Sequence, residues 1–236
     1  NKVEAIHGTA TLKPGKKVLV KDAEGKTTTY EAAHIILATG ARSRELPNLK
    51  QDGKKIIGYR EAMTLDHQPG SMVVVGSGAI GSEFAYFYHS IGTQVTLVEF
   101  MPNIIPLEDE EVSKQLERSF KKAGMKVMTS STVESVDIKG KKCQVKIRTK
   151  KGEEVVEADI VLSAVGITPN LEGLGLEEAG ISLDNGKVKV DEFYRTTAEG
   201  YYAIGDIVHG QALAHVASHE GITCVEKIAG LEAEAI

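Results

Sequence analysis

MVVVGSGAIGSEFAYFYHSIGTQVTLVE, residues 72–99, decides the reading of this chain. The β-branched run Val73-Val74-Val75 suits a buried parallel strand. Gly76-Ser77-Gly78-Ala79-Ile80-Gly81 follows at once, then a helical stretch over 82–90. After Gly92 a second apolar run, 95–98, ends on Glu99. Strand, glycine turn, helix, strand and acid come in the order of a dinucleotide-binding βαβ unit. Gly76 permits the tight turn, Gly78 lets backbone approach a pyrophosphate, and Gly81 lets helix pack on strand. The helix start offers N–H groups and a positive dipole end to the phosphates. Glu99 stands at the spacing of an acid that accepts hydrogen bonds from the adenosine ribose. A carboxylate there repels a 2′-phosphate, and Phe100-Met101-Pro102 brings no cation to neutralise one, so NAD is expected rather than NADP.

The rest of the composition excludes several classes. The 236 residues suffice for one large domain or two modest ones, and 42% are hydrophobic, as in ordinary globular proteins. No stretch approaches the roughly 20 apolar residues that span a bilayer, and no signal or transit peptide is visible at the start; no membrane association is expected. A net charge of −5, no Trp and no basic cluster argue against a nucleic-acid partner. Cys143 and Cys224 lie far apart and outside any Cys-x-x-Cys motif, which reads as two free structural thiols in a reducing compartment.

Along the chain, residues 3–12, 17–21 and 27–31 read as strands of a β-meander with turns at Lys13-Pro14-Gly15 and Asp22-Ala23-Glu24-Gly25. Residues 33–38 form an apolar strand ending at Thr39-Gly40. The polar stretch 43–58, with Pro47 and Gly53, reads as a linker, and 59–66 as a short helix. Residues 109–123 carry Val112, Leu116, Phe120 and Ala123 at helical spacing behind an acidic first turn, which suits the dipole and needs no metal. Residues 126–128 give a third parallel strand. Three polar-alternating strands follow at 133–137, 143–149 and 153–156, a second meander with one exposed face. Residues 159–165 return as a buried strand, 187–190 and 201–204 are short strands, and 215–229 is the last helix. His215 and His219 share a helix face, but no third ligand accompanies them, so no metal is expected. The fold class is α/β: a Rossmann-like NAD-binding domain with a parallel sheet and a three-stranded meander.

At this point the motifs resemble one family, the flavoprotein disulfide reductases, and within it the lipoamide branch. The resemblance rests on Ala38-Thr39-Gly40-Ala41, on the Gly76–Gly81 turn with Glu83 and Glu99, on Ile105-Pro106-Leu107-Glu108-Asp109 and on Ala164-Val165-Gly166-Ile167-Thr168-Pro169-Asn170. It continues through Ala203-Ile204-Gly205-Asp206, Leu213-Ala214-His215, Glu220-Gly221 and the tail from Cys224 to Gly230. It implies that residues 1–47 are the tail of an FAD-binding domain, 48–168 the NAD-binding domain and 169–236 a return segment that completes part of the FAD side.

The resemblance also assigns roles. Thr39 and Gly40 become flavin-side residues, and Asp206 a ligand of the FAD ribitol. Leu213, Ala214 and His215 open a helix aimed at the flavin pyrimidine edge, where an N–H and a positive helix end suit the charge of reduced flavin. Glu83 comes to lie near the nicotinamide, and Gly166 lets nicotinamide approach flavin. From the residues alone, Asp206 reads first as a turn acid, Glu83 equally as an acid favouring a helix start, and Thr39 as a hydroxyl that could cap a strand end.

Three family features are missing: a first glycine fingerprint for the ADP half of FAD, a Cys-x₄-Cys pair, and a C-terminal interface domain with a catalytic His-Glu pair. The expectation is therefore a central fragment, cut at both ends, with no catalytic residues of its own. In the branch it resembles, dihydrolipoamide reduces the disulfide, electrons pass to FAD and a hydride to NAD⁺. The implied partners are the dihydrolipoyl domain of a 2-oxo acid dehydrogenase complex and a second subunit in a homodimer, in the cytoplasm or the mitochondrial matrix, with cytoplasm favoured. The alternatives are a transhydrogenase or NADH oxidase of the same superfamily, or a stand-alone NAD(H)-binding module.

Overall fold

The computed structural model describes residues 2–235. They form two compact units, Ser43–Thr168 and the paired segments Asn1–Arg42 and Pro169–Ile236. The expected boundary after residue 47 falls instead after Arg42, and the two flanking segments make one unit. Local bonds explain this. Thr39 Oγ1 donates to the Asn170 carbonyl at 2.7 Å, and Asn170 N–H donates to the Gly40 carbonyl at 2.9 Å. Arg42 grips Glu172 at 2.6 Å and holds its carboxyl down to about 2.

The Ser43–Thr168 unit is built on a parallel sheet of five strands in the spatial order Ile56–Ile57, Ile160–Ser163, Ser71–Val75, Gln94–Val98 and Lys126–Met128. Side chains alternate across it, as the pleat demands. Met72, Val74, Leu97 and Leu162 pack with Ala85, Tyr88 and Phe120 from the helices Ala79–Ser90 and Glu110–Lys122. Val73, Val75, Val98 and Val161 face the opposite way, onto Val133, Cys143, Val145 and Ile147. All four come from an antiparallel meander of Thr132–Lys139, Lys142–Thr149 and Gly152–Ala158, whose alternate residues stay wet. Helices, sheet and meander thus make three layers, with a core on each face of the sheet.

The stretch 43–58 is not only a linker. Ile56 and Ile57 are buried and pair with Val161 and Leu162 as the edge of the sheet. Two residues leave no periodic signal. What places them is the Asp52 carboxylate, whose Oδ1 accepts from the backbone N–H of Lys54, Lys55 and Ile56 at 2.7–2.9 Å. The first helix is likewise shorter than expected, Tyr59–Met63.

The second unit has its own core. A meander of Thr9–Lys13, Lys17–Lys21 and Thr27–Glu31 stands beside a parallel pair, Ile35–Leu37 with Tyr201–Ala203. Leu12, Ile35, Leu37, Val188, Tyr201 and Ile207 meet at its centre. Residues 3–8, expected to be strand, are outside regular structure. A single 3₁₀ turn, Gly205–Ile207, and the helix Ala214–Ile228 complete the unit.

Asp159 ties the first unit together at the start of its central strands. Its Oδ2 accepts from Ser71 N–H at 2.9 Å and Ser71 Oγ at 3.0 Å, and Lys142 Nζ sits 2.9 Å from Oδ1. The Lys142 contact, with the Ser71 bonds, lowers its pKa below 3.8 against the opposing effect of burial. A depressed carboxylate stabilises the fold above its unfolded pKa and loses that contribution as pH falls through the folded value. Asp159→Asn should therefore lose about 1–3 kcal/mol at pH 7. In urea unfolding, its gap from the native chain should be constant from about pH 5 upward and close below pH 3.8. A gap that persists unchanged in acid would refute the assignment.

Candidate functional site

The sheet order reverses direction of growth between Ser71–Val75 and Ile160–Ser163, which lie side by side and parallel. In open α/β sheets the crevice beyond the carboxyl ends of such strands is where ligands bind. The fingerprint turn leaves the first strand there, and Ala164-Val165-Gly166 leaves the second. The three fingerprint glycines prove distinct in what they do. Gly76 has φ +93, and a Cβ on it would come 2.5 Å from the Ala164 carbonyl oxygen. A Cβ on Gly81 would lie 1.9 Å from the Gly76 carbonyl oxygen. Both glycines are demanded by internal packing. Gly78 is different: its φ of −61 and ψ of −175 suit any residue, and nothing lies within 4 Å of where its Cβ would be. Its bare backbone faces open space at the start of a helix.

That helix, Ala79–Ser90, has Gly78 as its N-cap and no side chain capping it. Its first-turn N–H groups are left for solvent or an anion. The neighbouring Glu110–Lys122 helix is closed by contrast, because Asp109 Oδ1 accepts from the N–H of Glu111 at 2.8 Å. Among the described residues Glu83 is exposed and has no hydrogen-bond or ion-pair partner. Gly166 is also exposed, with nothing within 4 Å of a Cβ.

Glu99 is buried, not free. Its Oε2 accepts from Ser77 N–H at 2.8 Å and Ser77 Oγ at 2.7 Å, and its Oε1 from Met101 N–H at 2.8 Å. A carboxylate has about four acceptor sites, so one direction remains, on Oε1. Ser77 is 0% exposed. Its side chain points inward at Glu99, and its carbonyl accepts from Ile105 N–H and Ser82 Oγ, each at 2.9 Å. The sequence reading makes all of residues 76–81 cofactor contacts; Ser77 is instead the loop's internal fastener.

In the other unit Thr39 is exposed but its hydroxyl donates to Asn170, the strand-end role that was open for it. Gly40 lies beside it. Asp206 is half-buried in the Gly205–Ile207 turn, and no hydrogen bond or ion pair holds its carboxylate among the described residues. The helix Ala214–Ile228 has Leu213 as N-cap, again without a side-chain cap, and Leu213, Ala214 and His215 are exposed. One residue without an assigned role stands out. Glu220 is 3% exposed, and its Oε2 accepts the Gly205 N–H at 2.5 Å. Its sequence signal is an acid in the stripe Ala217, Glu220, Gly221 and Cys224, which is otherwise apolar or small at helical spacing.

A concavity of about 410 Å³ opens elsewhere, beside Gly92, Thr93, Gln94 and Lys126. These residues precede or begin their strands, so it lies at the amino ends of the sheet, the wrong end for a dinucleotide.

The glycine geometry makes a separable prediction. Gly78→Val should keep the fold, at a cost of about 1 kcal/mol for the poorer N-cap, but weaken NADH binding at least about tenfold, because its side chain would enter the open space beside the helix start. Gly81→Ala should instead lower stability by about 1–3 kcal/mol through overpacking. Thermal melts with NADH fluorescence titration check both, and a Gly78→Val chain that binds like the native one would remove the phosphate assignment.

The family model described as pyridine nucleotide-disulphide oxidoreductase matches residues 1–221. Dihydrolipoyl dehydrogenase of Rhizobium etli is 44% identical, over 98% of this chain and 51% of its own length. That of Chlorobaculum parvum is 46% identical over 97% of this chain and 49% of its own length. The mitochondrial dihydrolipoyl dehydrogenase of Pisum sativum is 38% identical over 98% of this chain and 46% of its own. The crystal structure of LpdA from Mycobacterium tuberculosis superposes with a TM-score of 0.88 at 34% identity, over 98% of this chain and 51% of that one. The chain thus spans about half the length of the curated relatives it matches. A glycine turn at the switch point and a family match through residue 221 lead to one conclusion: the chain belongs to the pyridine nucleotide-disulphide oxidoreductase family.

Proposed function

We propose that this chain supplies the NAD-binding part, and one wall of the FAD site, of a dihydrolipoamide dehydrogenase. The observation that carries the reading is the open edge of Gly78 over an uncapped helix at the switch point. Residues 76–81 would hold the pyrophosphate through backbone, with Gly76 and Gly81 shaping the turn and Gly78, Ala79 and Ile80 lining it. The free direction on Glu99 would accept one ribose hydroxyl, and its charge would repel a 2′-phosphate. Gly166 leaves room for the nicotinamide near Glu83. On the flavin side, Asp206 would accept from the ribitol, the Ala214 N–H would meet the pyrimidine edge, and Thr39, Gly40, Leu213 and His215 would border it.

Bound flavin supplies the two-electron relay between a thiol pair and nicotinamide. The chain's own cysteines do not serve as that pair. Cys143 and Cys224 are both buried, and burial pushes both thiols up, away from the thiolate form that exchange requires. The same reading makes the dihydrolipoyl domain of a 2-oxo acid dehydrogenase complex the redox partner, a second subunit the dimer partner, and the cytoplasm or mitochondrial matrix the place of work. No helix among the described residues is long and apolar enough to cross a membrane.

The test is a titration of the chain with NADH and NADPH, followed by a dithiol-dependent assay with added FAD. NADH should bind at least about tenfold tighter than NADPH, from charge repulsion at Glu99. The chain alone should produce no NADH from NAD⁺ and dihydrolipoamide. Equal binding of the two nucleotides would sink the NAD assignment, and turnover by the chain alone would show that the dithiol chemistry has been misplaced.

A further inference from the structure

We propose that Glu220 is a positioning residue that holds the Gly205 turn so that Asp206 presents its carboxylate outward. The proposal rests on the flavin-side reading of Asp206 above, and adds to it the group that sets the geometry.

The argument starts from burial. A carboxylate removed from water needs hydrogen bonds in return. Glu220 sits on the inward face of the Ala214–Ile228 helix at 3% exposure, and the hydrogen bond found for it is the Gly205 N–H at 2.5 Å. Gly205 has φ +74, so the turn departs from the strand Tyr201–Ala203 in a left-handed conformation that side chains resist. Below the turn, Ile207 and Val208 are anchored in the core, and Val208 N–H donates to the Gly205 carbonyl at 3.0 Å. Helix and turn approach closely: a Cβ on Gly205 would stand 3.5 Å from Ala217 Cβ, and one on Gly221 3.4 Å from Ile204 Cδ1.

Asp206 is thus bracketed. The residue before it is fixed by Glu220, the residues after it by the core, and its own carboxylate has no partner among the described residues. A hydrogen bond to a charged acceptor is stronger than one between neutral groups, which suits a turn that must keep one orientation. The arrangement parallels the other unit, where buried Glu99 accepts the Ser77 N–H one residue after Gly76. In each unit a buried acid secures the backbone around a glycine of positive φ that follows a strand.

The experiment is residue-resolved amide exchange on the full 236-residue chain, with FAD titration followed by flavin fluorescence. Glu220→Ala should speed exchange at Gly205 and Val208 at least tenfold, leave the amides of the Gly76–Gly81 turn unchanged, and weaken FAD binding about tenfold. Glu220→Gln should restore both, because its amide oxygen still accepts the Gly205 N–H. Asp206→Asn combined with Glu220→Ala should bind FAD no more weakly than Asp206→Asn alone. Glu220→Met, of similar volume, guards against a cavity effect and should behave like Glu220→Ala. Exchange that rises evenly along the whole Ala214–Ile228 helix without singling out Gly205, or a Gln variant no better than Met, would overturn the proposal. Should this chain, which carries one wall of the FAD site, bind no FAD, the exchange at Gly205 and Val208 decides by itself whether Glu220 holds the turn.

Discussion

The first unit depends on a shortage of space. Where Gly81 passes the Gly76 carbonyl, no carbon fits, and where Gly76 passes Ala164, none fits either. These two contacts pull the Ala79–Ser90 helix, the turn and the return from Ile160–Ser163 into one knot. Close packing of this kind transmits position with little compliance. The junction therefore fixes the helix start at Gly78 against the carboxyl ends of Ser71–Val75 and Ile160–Ser163. A looser junction would let the helix slide, and the open backbone at Gly78 would lose its alignment.

What the sequence makes legible is whatever is local and periodic. The run Val73-Val74-Val75, the glycine spacing and the acid at Glu99 lie within about thirty residues, the span of one βαβ unit, and each has a distinct physical cause. The meander over Thr132–Ala158 shows through its alternation, with Cys143, Val145 and Ile147 inward. Ile56–Ile57 is hidden because its place is set by the Asp52 side chain and by strand partners a hundred residues away, not by any pattern of its own.

Within the site the division is similar. Spacing marks the glycine turn as a unit but does not say which residue faces which way. Ser77 turns inward because Glu99 needs donors once buried, a demand visible only when both are seen together. Glu220 escapes for the same reason: its partner is a backbone N–H fifteen positions earlier, a relation no composition or motif encodes. Thr39 and Asp206 show the opposite case, in which a resemblance supplies a role while, among the described residues, the structure gives Thr39 a distant partner, Asn170, and the Asp206 carboxylate none.

The shared use of Glu99 has a consequence for cofactor choice. The carboxylate that would discriminate against a 2′-phosphate is the same one that fastens Ser77 and Met101. Removing its charge to admit NADP would also unfasten the Gly76–Gly81 loop. On the proposed reading, cofactor preference would be welded to loop architecture, so an engineered or evolutionary switch would have to travel through at least two coupled substitutions: one that re-secures Ser77 by other means, and only then one that welcomes the extra phosphate.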